Sequence, residues 1–211
     1  MKTYFVDNKS NELVLFFLGW GMDELPMLPF KSSRDILYLY DYSNLDYEFD
    51  FSKYLKIYLI GYSAGVSIAT YLKLPKIEYA VAINGTFDLC NEEYGLSKDI
   101  IDVFRGITLD NYMDFRRKYL VATDSELDFF NAHAPLRTIE SSMEELDALS
   151  SYEFKNKDFK YDKVYISDVD RVFPIVKQKE FWGENVKVLR GAHFPFRNFK
   201  NLDEIFAEKF K

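Results

Sequence analysis

A serine between two glycines carries the strongest chemical signal in the sequence. Ser63 stands in the run Gly61-Tyr62-Ser63-Ala64-Gly65, after an apolar stretch that predicts a strand and before small residues that predict a helix. In such a turn the serine hydroxyl is exposed, and a Cβ in place of either glycine would collide with the neighbouring strand or helix. We interpret Ser63 as a nucleophile, with the Ala64 N–H directed at the developing oxyanion. The alternative is a glycine-rich turn without a catalytic role.

A serine nucleophile needs a general base, and the chain contains two histidines. His193 directly follows the last predicted strand, which is where the base stands in hydrolases whose catalytic residues occur in the order serine, acid, histidine. His133 falls among predicted helices, where a packed or solvated residue at a helix end is the preferred interpretation. We therefore predict that His193 accepts the proton of Ser63.

Two aspartates, Asp168 and Asp170, follow the predicted strand at residues 164–166. The next predicted strand leads to His193. Asp170 lies four residues ahead of Pro174, the spacing in which the proline opens the next helix and the aspartate lies in the loop above the sheet. Asp168 is the alternative, and Asp88, after an earlier strand, is a more remote one. The acid would fix the histidine tautomer and stabilise the imidazolium.

A second glycine pair follows the first predicted strand, in Leu18-Gly19-Trp20-Gly21-Met22. Glycines allow the backbone to turn inward, which leaves the N–H of Trp20 as the predicted second donor to the oxyanion. The alternative is a glycine turn beside a packed tryptophan.

The elements that must position these residues predict an α/β fold. Short, nearly continuous apolar runs cover residues 13–18, 36–40, 57–60, 79–83, 164–166 and 186–189. Such runs are typical of strands buried on both faces of a parallel sheet. Helix-length stretches follow at residues 64–72, 175–182 and 202–210. Alternating strands and helices predict a mostly parallel sheet flanked by helices.

The alternation is interrupted between about residues 85 and 160. This stretch contains no convincing strand and predicts helices over residues 99–104, 109–119, 125–132 and 136–149, the last with the amphipathic spacing of Glu144, Glu145, Leu146 and Leu149. Residues 151–163 form a charged connector back to the sheet. We interpret the stretch as an inserted helical cap within a single domain of residues 1–211.

Charge and composition exclude several classes of protein. The formal net charge of −7 argues against nucleic acid as a partner. A single cysteine excludes an internal disulfide and, with two histidines, argues against a Cys/His structural zinc site, although an all-carboxylate metal site stays open. The chemistry needs no metal or cofactor. No apolar run has signal-peptide or membrane-span length, so we expect a cytoplasmic protein with no membrane partner.

Several motifs resemble those of the BioG family, a group of small α/β-hydrolases. The resemblance covers residues 13 to about 199 and rests on the Ser63 motif, Phe17-Leu18-Gly19-Trp20-Gly21-Met22-Asp23, Ala82-Ile83-Asn84-Gly85-Thr86, Tyr94-Gly95-Leu96 and Gly191-Ala192-His193-Phe194-Pro195-Phe196. It implies an esterase that removes the methyl group from pimeloyl-[acyl-carrier protein] methyl ester in biotin biosynthesis. The alternatives are a carboxylesterase or thioesterase with another acyl chain, and a non-catalytic binding protein of the same fold.

The resemblance also implies an acidic acyl-carrier protein as partner. Five basic residues fall inside the predicted cap: Arg105, Arg116, Arg117, Lys118 and Arg137. We hypothesise that some of them bind the phosphate or carboxylates of the carrier protein. The alternative is a solvated helix face neutralised by nearby acids such as Asp110, Asp114 and Glu140.

Overall fold

A single sheet of seven strands forms the centre of the molecule. The computed structural model describes residues 1–152 and 159–207. Within them the strands are β1 (Lys2–Val6), β2 (Glu12–Phe17), β3 (Asp35–Tyr40), β4 (Lys56–Tyr62), β5 (Tyr79–Ile83), β6 (Lys163–Ser167) and β7 (Lys187–Leu189). Their spatial order is β1-β3-β2-β4-β5-β6-β7. Every neighbouring pair is parallel except β1 with β3, which confirms the mostly parallel sheet.

Both faces of the sheet are covered by apolar side chains. In β2, Leu13, Leu15 and Phe17 belong to one buried cluster, whereas Val14 and Phe16 belong to the cluster on the other face. All five side chains are fully buried. Because successive strand residues point to opposite faces, a strand covered on both faces must be apolar at every position. This explains why the strands are visible as continuous apolar runs in the sequence.

Helices flank the sheet on both faces, as predicted. The helices of the described residues are α1 (Ala64–Ile68), α2 (Lys98–Arg105), α3 (Tyr112–Phe115), α4 (Asp124–Ala132), α5 (Ile139–Ser151), α6 (Ile175–Trp182) and α7 (Asp203–Phe206). Residues from α1, α2 and α5 join the cluster that contains Leu13, whereas residues from α4 and α7 join the cluster that contains Val14. Helices α2 to α5 follow one another between β5 and β6, where the sequence predicts a helical segment.

Strand β1 was not predicted from the sequence. It pairs antiparallel with β3 at one edge of the sheet, and four of its five residues are exposed. An edge strand with two solvated faces needs no apolar run, so its sequence carries no burial pattern. Tyr4 and Phe5 remain 39% exposed, which shows how little of this strand the core requires.

Three helices are shorter than predicted. Helix α1 ends at Ile68 rather than at residue 72, because the chain tightens into three-residue turns in which the Thr70 hydroxyl donates to the Ser67 carbonyl at 2.7 Å. Helix α3 widens after Phe115 into a π turn over Arg116–Leu120. The terminal helix includes only Asp203–Phe206, and positions 208–210 of its predicted range lie outside the described residues, as do positions 153–158 of the predicted connector.

Among residues 1–152 and 159–207, no helix combines the length and apolar character needed to cross a bilayer.

Replacement of Gly65 tests the closest packing between helix and sheet. A Cβ on this residue would lie 2.2 Å from the Phe17 carbonyl oxygen, which is held within the central strand β2. We expect Gly65→Ala to lower the free energy of unfolding by about 1–3 kcal/mol or more, measured by urea denaturation. Gly106→Ala is the matched control, because a Cβ on this residue would lie an ordinary 3.4 Å from the nearest atom, the Asp102 carbonyl oxygen. Equal losses in the two variants would contradict the packing argument.

Candidate active site

Ser63 occupies the turn between β4 and α1 in a strained backbone conformation. Its φ and ψ are 53° and −123°, in a region that residues other than glycine rarely adopt. The turn is held by a hydrogen bond from the Ser63 N–H to the Ile83 carbonyl at 3.0 Å. Two glycines allow the close approach: a Cβ on Gly61 would lie 2.9 Å from the Val66 Cα, and one on Gly85 would lie 2.5 Å from the Ser63 carbonyl oxygen. The result is the sharp turn that the sequence motif predicts.

The structure brings Ser63, His193 and Asp170 together in a hydrogen-bonded chain. His193 Nε2 lies 2.8 Å from Ser63 Oγ, and His193 Nδ1 lies 2.9 Å from Asp170 Oδ2. The other carboxylate oxygen of Asp170 accepts the N–H groups of Val172 at 2.8 Å and Phe173 at 3.0 Å. Ser63, His193 and Asp170 are each at most 7% exposed. This is the geometry that allows an imidazole to take a serine proton while a carboxylate holds its tautomer.

The alternative acids, Asp168 and Asp88, and the alternative base, His133, form other hydrogen bonds. Asp168 is exposed and accepts the Gly191 N–H at 2.9 Å. Asp88 accepts a hydrogen bond from the Asn91 side chain at 2.9 Å. The Nδ1 atom of His133 lies 2.8 Å from a backbone carbonyl of its own helix. Among the described residues, none of these three forms a hydrogen bond with the Ser63 hydroxyl or the His193 ring.

Two backbone N–H groups are available beside the serine. Those of Trp20 and Ala64 have no hydrogen-bond partner within the parts of the chain that the structure describes. Ala64 opens α1 directly after Ser63, and a Cβ on Gly19 would lie 3.2 Å from the Ser63 Cβ, so the glycine loop lies against the serine. The predicted pair of oxyanion donors is therefore near the nucleophile, on two separate elements.

The Trp20 side chain is fixed independently of its backbone. Its ring stacks on Phe104 of α2 with a centroid distance of 4.6 Å and an interplanar angle of 5°. The indole N–H donates to the Ser142 carbonyl of α5 at 2.6 Å. This side chain therefore connects the glycine loop to two helices of the segment between β5 and β6.

Ser63 and His193 line a narrow cavity of about 50 Å³ whose wall is mainly apolar. The glycine loop supplies Trp20 and Met22 to the wall. The segment between β5 and β6 supplies most of the apolar side chains: Phe104, Ile107, Tyr112, Phe115, Leu120, Phe130, Ile139 and Met143. A mainly apolar cavity with a few polar groups is typical of a site that binds a small organic molecule.

Two of the five predicted docking cations are used inside the protein. The side chain of Arg137 is 5% exposed and forms an ion pair with Glu145 at 3.2 Å. Arg116 is 8% exposed, its guanidinium lies 4.2 Å from the Tyr112 ring centroid, and it donates to Asn131 Oδ1 at 2.9 Å. These placements remove Arg116 and Arg137 from the residues that we expect to meet a macromolecular partner.

The other three cations lie on the surface. Arg105 pairs with Asp147 at 2.9 Å, and Arg117 pairs with Asp124. Lys118 is exposed and has no carboxylate within ion-pair distance among the described residues. Surface ion pairs are weak, so these pairings leave the basic groups accessible.

Asn84 is a polar residue of the site to which sequence reasoning gave no role. It is fully buried with a φ of 48°. Its amide nitrogen donates to the Ser167 hydroxyl at 2.7 Å and to the His193 carbonyl at 2.9 Å, while its oxygen accepts the Ser167 N–H at 2.7 Å. Asn84 thus joins the ends of β5 and β6 to the histidine loop. Its place in the Asn84-Gly85-Thr86 motif was the available signal.

The fold and this arrangement together define the class of protein. A mostly parallel sheet with helices on both faces, and a serine on the turn after a central strand, identify the chain as an α/β-hydrolase-fold protein. The chain belongs to the BioG family, because the family model described as "Pimeloyl-ACP methyl esterase BioG" matches residues 1–205.

The chain is also similar to individual proteins of known sequence or structure. The crystal structure of BioG from Haemophilus influenzae matches with a TM-score of 0.87 and 25% identity over 98% of this chain and 100% of that one. A Bacteroides fragilis protein named malonyl-[acyl-carrier protein] O-methyltransferase is 32% identical to this chain. The match covers 87% of this chain but only 39% of that protein. An esterase from Exiguobacterium antarcticum shares the fold, with a TM-score of 0.61 and 15% identity over 96% of this chain and 90% of its own.

Replacement of the two aspartates tests the assignment of the acid. We expect Asp170→Asn to lower kcat for a p-nitrophenyl ester on the order of 10³–10⁴-fold, because an amide favours the wrong histidine tautomer. Asp168→Asn is the matched control, since the amide oxygen can still accept the Gly191 N–H. We expect its kcat to stay near that of the parent. A greater loss in Asp168→Asn than in Asp170→Asn would reverse the assignment.

Proposed function

We propose that this chain is a carboxylic ester hydrolase that converts pimeloyl-[acyl-carrier protein] methyl ester to pimeloyl-[acyl-carrier protein] and methanol in biotin biosynthesis. The observation that carries the proposal is the hydrogen-bonded chain of Ser63, His193 and Asp170 at the wall of an apolar cavity. Membership of the BioG family supplies the substrate class.

In the proposed acylation step, His193 Nε2 takes the Ser63 proton as Oγ attacks the ester carbonyl carbon. The N–H groups of Trp20 and Ala64 stabilise the negative charge on the carbonyl oxygen. Collapse of the tetrahedral intermediate breaks the bond to the methoxy group, which leaves as methanol with the proton from the imidazolium. Asp170 stabilises that imidazolium.

Deacylation repeats the same steps with water. His193 removes a proton from the water molecule, whose oxygen attacks the acyl-enzyme carbonyl. The second tetrahedral intermediate expels Ser63 Oγ, which recovers its proton from His193. The free carboxylic acid remains on the carrier protein, and the site returns to its starting state.

The apolar wall favours the neutral form of the substrate end. Among the described residues, Arg137 is the only side chain with a permanent positive charge that lines the cavity, and it is already paired with Glu145. A carboxylate would lose its hydration there without gaining a free cationic partner, whereas a methyl ester carries no charge. The cavity therefore supports binding of the ester and release of the charged product. We propose that helices α2 to α5 act as a cap over the acyl chain of the bound substrate.

An exposed basic pair offers a place for the carrier protein. Arg171 is exposed, follows Asp170 in sequence, and donates to the Lys118 carbonyl at 3.0 Å. Neither Lys118 nor Arg171 has a carboxylate partner among the described residues, although the whole chain carries a net charge of −7. We propose that these two cations bind acidic groups of the carrier protein next to the loop that carries Asp170.

Incubation with pimeloyl-[acyl-carrier protein] methyl ester tests the reaction. We expect the parent to release methanol and to leave an intact, demethylated carrier conjugate in the mass spectrum, because Ser63 attacks the methyl ester. Ser63→Ala should lose this activity. The substrate also contains a thioester, so release of free carrier protein instead would identify a thioesterase. A parent that catalyses neither reaction would contradict the proposed function.

Charge reversal tests the docking of the carrier protein. We expect the Lys118→Glu, Arg171→Glu double variant to raise KM for the carrier-bound ester about tenfold, equivalent to ~1.4 kcal/mol. Lys56→Glu is the matched control, because Lys56 is exposed and begins β4 at the end opposite Ser63. Hydrolysis of a free p-nitrophenyl ester checks the integrity of the site. A KM equal to that of the control would contradict the docking proposal.

A further inference from the structure

The loop that carries the proposed Trp20 oxyanion donor is attached to helix α5 at two successive residues. The Trp20 indole N–H donates to the Ser142 carbonyl, and the Gly21 N–H donates to Glu145 Oε2 at 3.0 Å. These bonds join residues 122 and 124 positions apart in the chain. Gly21 has a φ of 69°, a backbone conformation that glycine adopts readily and other residues rarely do.

Glu145 is a buried carboxylate with several donors. It is 0% exposed, and it also accepts the Tyr42 N–H at 3.0 Å and a guanidinium N–H of Arg137 at 3.2 Å. Burial raises the pKa of Glu145, while the positive charge of Arg137 opposes that rise. An isolated buried carboxylate would be strongly unfavourable, so this one depends on its three donors.

Arg137 connects the same carboxylate to the rest of the loop. Its guanidinium lies 3.2 Å from Asp41 Oδ1 and donates to the Met22 carbonyl at 3.4 Å. Its Nε donates to the Ser141 hydroxyl at 3.1 Å. Glu145 and Arg137 therefore bind consecutive residues of the loop, Gly21 and Met22, from one side.

We propose that Glu145 is a positioning residue for the oxyanion hole: by holding the Gly21 N–H, it fixes the peptide that follows Trp20 and directs the Trp20 N–H at the reacting oxygen. The inference rests on the proposed function, because it assumes that Trp20 donates to the oxyanion. Helix α5 also contributes Ser142 and Met143 to the cavity wall. One helix thus sets the substrate wall and the donor angle together, and a small displacement of such a donor reduces catalysis.

Glu145→Gln is the direct test, with Glu144→Gln as the matched control. The glutamine keeps the shape but presents an N–H₂ group to one of the two backbone donors and removes the charge paired with Arg137. Glu144 is the exposed neighbour on the same helix, so its replacement changes the same charge without touching the loop. Near- and far-ultraviolet circular dichroism verifies that both variants are folded.

The readout compares ligands that do and do not need the oxyanion hole. We expect Glu145→Gln to lower kcat for a p-nitrophenyl ester about 10- to 100-fold, less than the ~10²–10³-fold loss when a whole donor is removed. Affinity for a trifluoromethyl ketone, which forms an oxyanion on Ser63, should fall by the same factor. KM and affinity for the corresponding unreactive alcohol should remain those of the Glu144→Gln control.

Two results would overturn the inference. Either a folded Glu145→Gln keeps the parental kcat and ketone affinity, or the affinities for ketone and alcohol fall equally, as a purely structural role would produce. If this variant does not fold, Glu145→Asp keeps the charge paired with Arg137 but shortens the side chain by one methylene group, which draws the carboxylate away from the Gly21 N–H. It should show the same selective loss of kcat and ketone affinity, and parental behaviour would likewise overturn the inference. A parent without esterase activity would instead contradict the proposed function.

Discussion

The close contact between Gly65 of α1 and the Phe17 carbonyl of β2 is the constraint on which the site depends. It holds the start of α1 against the neighbouring strand, which keeps Ser63 in its strained turn. The same strand continues directly into the glycine loop, so one contact places the serine beside the loop that carries Trp20. Nucleophile and proposed oxyanion donor are neighbours because β2 and β4 are paired in the centre of the sheet.

Buried polar side chains then join loops that the sheet alone would leave separate. Asn84 ties two strand ends to the carbonyl of His193, and Asp170 receives two backbone N–H groups as well as the imidazole. Glu145 holds the glycine loop and the Tyr42 N–H. Removal of a polar group from water is unfavourable unless it is hydrogen-bonded, so each of these residues accepts only a narrow range of loop positions. The interior polar network is therefore what gives the site its geometry.

Packing gives the basic residues of the segment between β5 and β6 different roles that the composition of the segment does not show. In sequence, all five cations are equivalent members of one cluster. In the structure, Arg137 neutralises buried carboxylates and Arg116 lies over aromatic rings, whereas Lys118 stays on the surface beside Arg171. A guanidinium is suited to several buried hydrogen bonds at once, and this explains why two arginines could be taken into the interior.

The sequence by itself determined the α/β class, six of the seven strands, the helical segment after β5 and the order of the serine, aspartate and histidine. These features are local: a strand buried on both faces must be apolar throughout, and a sharp turn requires glycine at fixed spacing. Tertiary structure alone decided that β1 pairs at the edge, that Arg137 pairs with buried Glu145, and that Glu145 holds the glycine loop. Each of these is a pairing between residues that are separated in sequence, and a polar side chain does not show in sequence which partner will replace its lost water.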